Sequence, residues 1–166
     1  ERRAEALPAL LYNLQQHQDL HRSIMFAGFL GTNAVAALPF VTHYVCGSEP
    51  YPYVIYGTAL AALAGIGKPA ACAMPVLILA SEGSGYLFNV KAALKQVGPA
   101  PRRSMPHLAR LLYHKSQAVE VKAARAMIET AALPAATYAG QTEEQLIVSL
   151  RTWWEQEGSH QDWADH

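Results

Sequence analysis

Charge is scarce in this chain. Asp, Glu, Lys and Arg make up 16% of its 166 residues, against roughly 25% in an average soluble domain. The 13 basic and 13 acidic residues cancel to a formal net charge of +0. That balance excludes a nucleic-acid binder working by bulk electrostatics, and it excludes a disordered acidic tail. Cysteine is scarcer still. Cys46 and Cys72 are the only two, too few for a disulfide scaffold, and no CxxC marks a redox or zinc site. No run alternates apolar and polar residues as a strand does. No internal repeat is evident. Ser81-Glu82-Gly83-Ser84-Gly85 is glycine-rich but lacks the lysine and helix context of a phosphate loop. No catalytic residue, metal ligand or cofactor is expected in this chain, and no enzyme activity.

What is present is apolar length, 51% of the residues being hydrophobic. Residues 1–22 read as an amphipathic N-terminal helix. Leu7, Leu10, Leu11 and Leu14 fall at helical spacing, and Pro8 suits the first turn. Residues 23–48 contain no Lys, Arg, Asp or Glu. About 20 apolar residues cross a bilayer core of ~30 Å, so 24–45 reads as one continuous membrane helix that tolerates Pro39. Residues 50–81 form a second apolar stretch, interrupted only by Lys68 and long for one span; either Gly65, Gly67 and Pro69 kink it or it leaves the membrane near Lys68. Gly57, Ala61 and Gly65 recur at i, i+4, i+8, the small-residue pattern of closely packed membrane helices. Gly28 and Gly31 offer a matching face. The two spans make a hairpin turning at Gly47-Ser48-Glu49-Pro50, with Tyr44, Tyr51, Tyr53 and Tyr56 as an aromatic belt.

Residues 82–166 read as a helical extramembrane extension. Leu108, Leu111, Leu112, Val119, Ala123 and Met127 form one apolar stripe. Thr142 and Gln145 have capping-box spacing, and Gly158 is a plausible stop. Arg2, Arg3 and Arg22 precede the first span, and Lys91, Lys95, Arg102 and Arg103 follow the second. The positive-inside bias therefore puts both termini in the matrix of an organelle or in the bacterial cytoplasm.

Among polar residues, His17 and His21 share a helical face, but no further ligand completes a metal site. His21 and His43 lie roughly 33 Å apart on a continuous helix and cannot share a haem iron. Lys68 is the residue expected to matter most, as a contact for a partner carboxylate or a lipid headgroup. Trp153 and Trp154 read as anchors into another protein.

The fold expected is all-α: a two-helix transmembrane hairpin over residues 23–81, with amphipathic and soluble helices on its positive side. The chain begins at Glu1 rather than Met, which reads as a processed chain or an incomplete one. That start and the alanine-rich, low-charge composition resemble lineage-specific accessory subunits of mitochondrial respiratory and ATP-synthase complexes, without a family motif. The resemblance implies a non-catalytic subunit of a hetero-oligomeric complex in the mitochondrial inner membrane, with other membrane subunits and phospholipid as partners. A bacterial inner membrane is the other location. The alternatives are a small transporter or channel component, and a soluble helical binding domain.

Overall fold

The computed structural model describes residues 6–46, 53–82 and 87–164. Every regular element among them is helical. The expected turn at 47–50, Tyr51, the arginines at 2 and 3, and Gly83 and Gly85 lie outside the described residues.

The helices come in pairs, a short one and then a longer one. The pairs are α1 Leu7–Gln15 with α2 Leu20–Leu30, and α3 Leu38–Cys46 with α4 Tyr53–Ile66. Next come α5 Met74–Ala80 with α6 Leu87–Val97, and α7 Met105–Leu111 with α8 Gln117–Thr130. A reduced fifth pair is α9 Ala135–Tyr138 with α10 Glu143–Gln156. Proline sets where the first helix of each pair begins. Pro8, Pro39, Pro75 and Pro106 each stand second in their helix, where the missing N–H is no loss and the fixed φ suits the first turn.

Glycine sets where the second helix ends. Gly31, Gly67 and Gly98 have φ of +59°, +72° and +73°, backbone that L side chains adopt only with strain. Between each glycine and the next helix-starting proline lies a short 3-10 segment: Gly31–Ala37, Lys68–Ala73 and Arg102–Ser104. One sequence therefore recurs. Gly31, Ala34, Ala37, Leu38 and Pro39 are matched in spacing by Gly67, Ala70, Ala73, Met74 and Pro75, and again by Gly98, Pro101, Ser104, Met105 and Pro106. Ala6-Leu7-Pro8 and Ala132-Leu133-Pro134 keep its last three positions. The small residues are small because they are covered: Ala34, Ala37, Ala70, Ala73 and Ser104 are all buried. The chain is thus an internal repeat of helical hairpins, the arrangement of helical-repeat proteins. The prolines fall 31, 36, 31 and 28 residues apart, and this uneven period conceals the repeat that the sequence alone did not reveal.

The chain divides into two compact units, Glu1–Gly98 and Pro99–His166. In the first, α2 packs on α4 and α4 on α6. A Cβ on Gly28 would meet Ala62 Cα at 3.0 Å, and one on Gly31 would meet the Gly65 carbonyl oxygen at 3.5 Å. Contacts advance together along both helices, so α2 and α4 run in the same direction, and α3 returns in the opposite sense, packed on α4. Leu14, Ile24, Leu60, Leu63, Ile66, Leu77 and Ile78 are fully buried. Each such side chain contributes about 1.5–3 kcal/mol by leaving water.

By length and composition, Leu20–Cys46 is the one stretch among the described residues able to cross a membrane, at 27 residues. It is not the continuous helix expected. A straight helix of that length measures about 40 Å, yet the Tyr44 hydroxyl lies 3.1 Å from Nδ1 of His17, three residues before α2 begins. The chain folds back at Gly31. The second stretch breaks likewise at Gly67, into Tyr53–Ile66 and Lys68–Ala80, each too short to qualify as a span. Pro39 and Pro75 start helices and do not kink them.

In the second unit α8 packs on α7 and α10 around Met105, Leu108, Leu112, Met127 and Leu150. The α10 N-terminus closes with a capping box: Thr142 Oγ1 accepts the Gln145 N–H at 3.2 Å, and Gln145 Oε1 accepts the Thr142 N–H at 2.9 Å. This satisfies two otherwise orphaned donors.

Candidate functional site

The surface of the first unit is the most unusual feature of the molecule. Between Ser23 and Val90 the sequence carries three charges, Glu49, Lys68 and Glu82. Soluble surfaces are about 25–35% charged. Here Phe29 is 70% exposed, Tyr53 65% and Phe88 84%. Met25, Phe26, Val35, Val54 and Leu79 are exposed as well. Helical hairpins have two apolar faces but only one interior, so the uncharged remainder of each helix is left on the outside.

The small residues occupy distinct places. Gly28 and Gly65 touch backbone to backbone: a Cβ on Gly65 would stand 2.6 Å from the Gly28 carbonyl oxygen. Above this contact Met25, Phe29, Thr58 and Ala61 wall a shallow apolar groove of about 260 Å³. Gly31 serves as the joint at the end of α2. Gly57 is buried facing α6, where its carbonyl accepts Asn89 Nδ2 at 3.4 Å. Gly57 and Gly65 are thus turned toward different helices. A stripe read at i, i+4, i+8 drifts around an α-helix, since two turns take about 7.2 residues.

Lys68 is exposed, the first residue of the 3-10 segment after Gly67. Tyr44, assigned by sequence to an aromatic belt, is buried at 3% exposure and tied to His17. His43 lies edge-on to the Tyr44 ring, centroids 5.5 Å apart. Cys46 is exposed and Cys72 half-buried, and both are free thiols.

In the second unit Trp153 and Trp154 pack against Trp163, ring centroids 6.2 Å away in each case. The Trp163 indole N–H donates to the Gly158 carbonyl at 2.7 Å, and Arg102 stacks on its ring at 5.0 Å. Gly158 is needed because a Cβ there would meet Trp154 at 2.7 Å and Trp153 at 2.9 Å. Both tryptophans remain half-buried, so part of each ring faces outward.

A polar network that the sequence did not signal holds this unit together. Arg151 bonds the Leu112 carbonyl and the Glu120 carboxylate. Its guanidinium lies 4.9 Å over the Tyr113 ring, and Tyr113 Oη donates to Glu155 Oε1 at 2.6 Å. That hydrogen bond, with partial burial and the charge of Glu155, raises the Tyr113 phenol above its ordinary value against the pull of Arg151. The partners lie 31 to 42 residues apart, and no local pattern foretells them.

Among the described residues no group of three or more His, Cys, Asp and Glu is placed to hold a metal ion. Comparison with protein-family models, with curated proteins and with solved structures finds no match.

Proposed function

We propose that this chain is a non-catalytic structural subunit, a helical-repeat scaffold held inside a larger hetero-oligomeric assembly at a membrane. The observation that carries the reading is the exposure of Phe26, Phe29, Tyr53 and Phe88 among the described residues of a stretch, 23–90, that carries only three charges. Large apolar side chains exposed in this number are commonly covered by partners in proteins that stay soluble. Helical repeats offer such surfaces because each repeat contacts only its neighbours and leaves two long faces free.

The finer assignment is to the accessory subunits of mitochondrial respiratory or ATP-synthase complexes, in the inner membrane with both termini in the matrix. Its support is composition alone. The chain then meets other membrane subunits through the first unit, with phospholipid filling the remaining contacts, and Lys68, Trp153 and Trp154 are assembly contacts.

Native-gel separation of gently solubilised membranes, with mass spectrometry of the bands, tests the reading. The chain is expected in a high-mass band together with fixed partners. Recovery as a free small protein refutes it and favours a soluble helical binding domain. Carbonate washing then separates two modes of attachment. Retention in the pellet supports a membrane-inserted Leu20–Cys46 segment, whereas release supports a scaffold held by protein contacts.

A further inference from the structure

Helix α6 has two sides of opposite character. Val90, Ala93 and Val97 are buried, and at about 100° per residue they fall within about 60° of one another on the helical wheel. Phe88, Lys91 and Lys95 occupy the opposite side, again within about 60°, and all three are exposed. Phe88 is the extreme case at 84%. From Phe88 to Lys95 this outward stripe is roughly 10 Å long.

The fold does not neutralise the two lysines. From Gly83 to Val119 the sequence has six Lys and Arg and no Asp or Glu. The elements chiefly packed on α6 are α4, α5 and the 3-10 segment Lys68–Ala73, and none of them contains a carboxylate. Asn89 meets Gly57, and the Gln96 carbonyl oxygen lies 3.9 Å from a Cβ built on Gly67. These two contacts set Lys91 and Lys95 beside residues 59–66, which are uncharged. Glu49 and Glu82 precede α4 and α6 in sequence, ahead of the end where the lysines stand, and Glu82 lines a depression with Cys46 and Tyr56. Among the described residues neither lysine has a carboxylate at ion-pair distance. Lys68, exposed and next to Gly67, adds a third positive charge at the same end of the helix.

We infer that the outward stripe of α6, Phe88 with Lys91 and Lys95, is a docking surface for an anionic lipid bilayer, on which the helix lies flat. A bare phenyl ring needs an apolar medium, and two lysines without carboxylates need anions. The surface of an anionic bilayer supplies both along one helix face. Phe88 enters the boundary of the acyl chains, while the lysine stems lie along it and hold their ammonium groups at the phosphates. Phe26 is the contrast: it follows Arg22 by one helical turn, but Arg22 is already paired with Asp19. The inference rests on the membrane location in the proposed function and names the lipid class met there.

Sedimentation of the purified full chain with phosphatidylcholine vesicles, made with and without phosphatidylserine, tests it. Binding is expected to be tighter where phosphatidylserine is present and to weaken with added salt. Lys91→Gln and Lys95→Gln should each lower that binding about fivefold and leave binding to phosphatidylcholine alone unchanged. Lys91→Arg with Lys95→Arg keeps the charge and should bind as wild type does. Phe88→Ser should weaken binding to both kinds of vesicle, by about tenfold. All three side chains point outward, so an unchanged far-ultraviolet helix signal is expected throughout. Equal binding to the two kinds of vesicle overturns the inference and leaves the stripe to an acidic protein surface. Glutamine variants, or a Phe88→Ser chain, that bind as tightly as wild type also overturn it. A chain held in a high-mass band that shows no preference for phosphatidylserine defeats this inference alone. A chain recovered free that keeps the preference defeats the proposed assembly alone.

Discussion

The hydroxyl of Tyr44 and Nδ1 of His17 lie 3.1 Å apart across 27 residues of sequence. Between them runs most of the one membrane-length apolar stretch among the described residues, Leu20–Cys46, and a bond between its two ends is incompatible with a straight rod. His17 itself has φ of +53° and Asp19 +45°, so a tight left-handed turn delivers the imidazole to Tyr44. The bond ties the α1–α2 turn to the return helix α3.

The contact between Gly28 and Gly65 tolerates no side chain. Gly65→Ala would set a methyl 2.6 Å from a backbone oxygen that cannot rotate aside. The helices must separate, at a cost of about 1–3 kcal/mol, the usual range for overpacking. Thermal unfolding followed by circular dichroism is expected to show a lowered midpoint. An unchanged midpoint would mean that α2 and α4 are not in backbone contact.

At Gly98 nothing lies within 4 Å of a built Cβ, so substitution there isolates backbone strain from packing. With φ at +73°, Gly98→Ala is expected to cost about 1–2 kcal/mol. Gly98→Asn should cost less, because asparagine enters left-handed conformations more readily, and Gly98→Val should cost more. Denaturant titrations of the three variants check the order. Equal stabilities would show that the glycine is not needed for its φ.

Arg151→Met leaves the Glu120 carboxylate, 13% exposed, and the Leu112 carbonyl without their partner. Arg151 is itself about a third exposed, which moderates the loss to about 1–3 kcal/mol. Glu120→Gln together with Arg151→Met should recover part of it, since no charge is then stranded. A double-mutant cycle by urea titration measures the coupling. A coupling of zero would remove the network from the account of this unit's stability.

Tyr113 makes alkaline stability a readout of the same network. Its phenol is raised above the ordinary value, first by the hydrogen bond to Glu155. The folded state therefore holds this proton more tightly than the unfolded state. The contribution is complete below the unfolded value near pH ~10 and disappears as pH rises through the folded one. Tyr113→Phe should flatten the fall in stability above about pH 10 and leave pH 7 to 9 parallel to wild type. Parallel curves above pH 10 would refute the bond.

Helical class was legible in the sequence because it rests on local signals: proline at helix starts, the Thr142–Gln145 cap, and apolar residues at helical spacing. The path of the chain was not. A membrane span and a pair of short helices in a stacked repeat have the same composition, and the difference lies in the backbone of Gly31 and Gly67. Their spacing to Pro39 and Pro75 is identical, but it emerges only when three copies are aligned past helices of unequal length. Gly28 and Gly65 stand out by residue type and do meet. Arg151, Glu120 and Tyr113 are ordinary surface residues in any linear reading, and only the fold brings them together.

All three tryptophans, Trp153, Trp154 and Trp163, belong to the unit Pro99–His166. Their ring centroids fall within 6.4 Å of one another. Intrinsic fluorescence excited at the indole band is therefore a private signal of that unit, and the other unit is optically silent in it. Far-ultraviolet dichroism reports both. A melt recorded by the two methods shows directly whether the halves of the chain lose structure in one cooperative step or two.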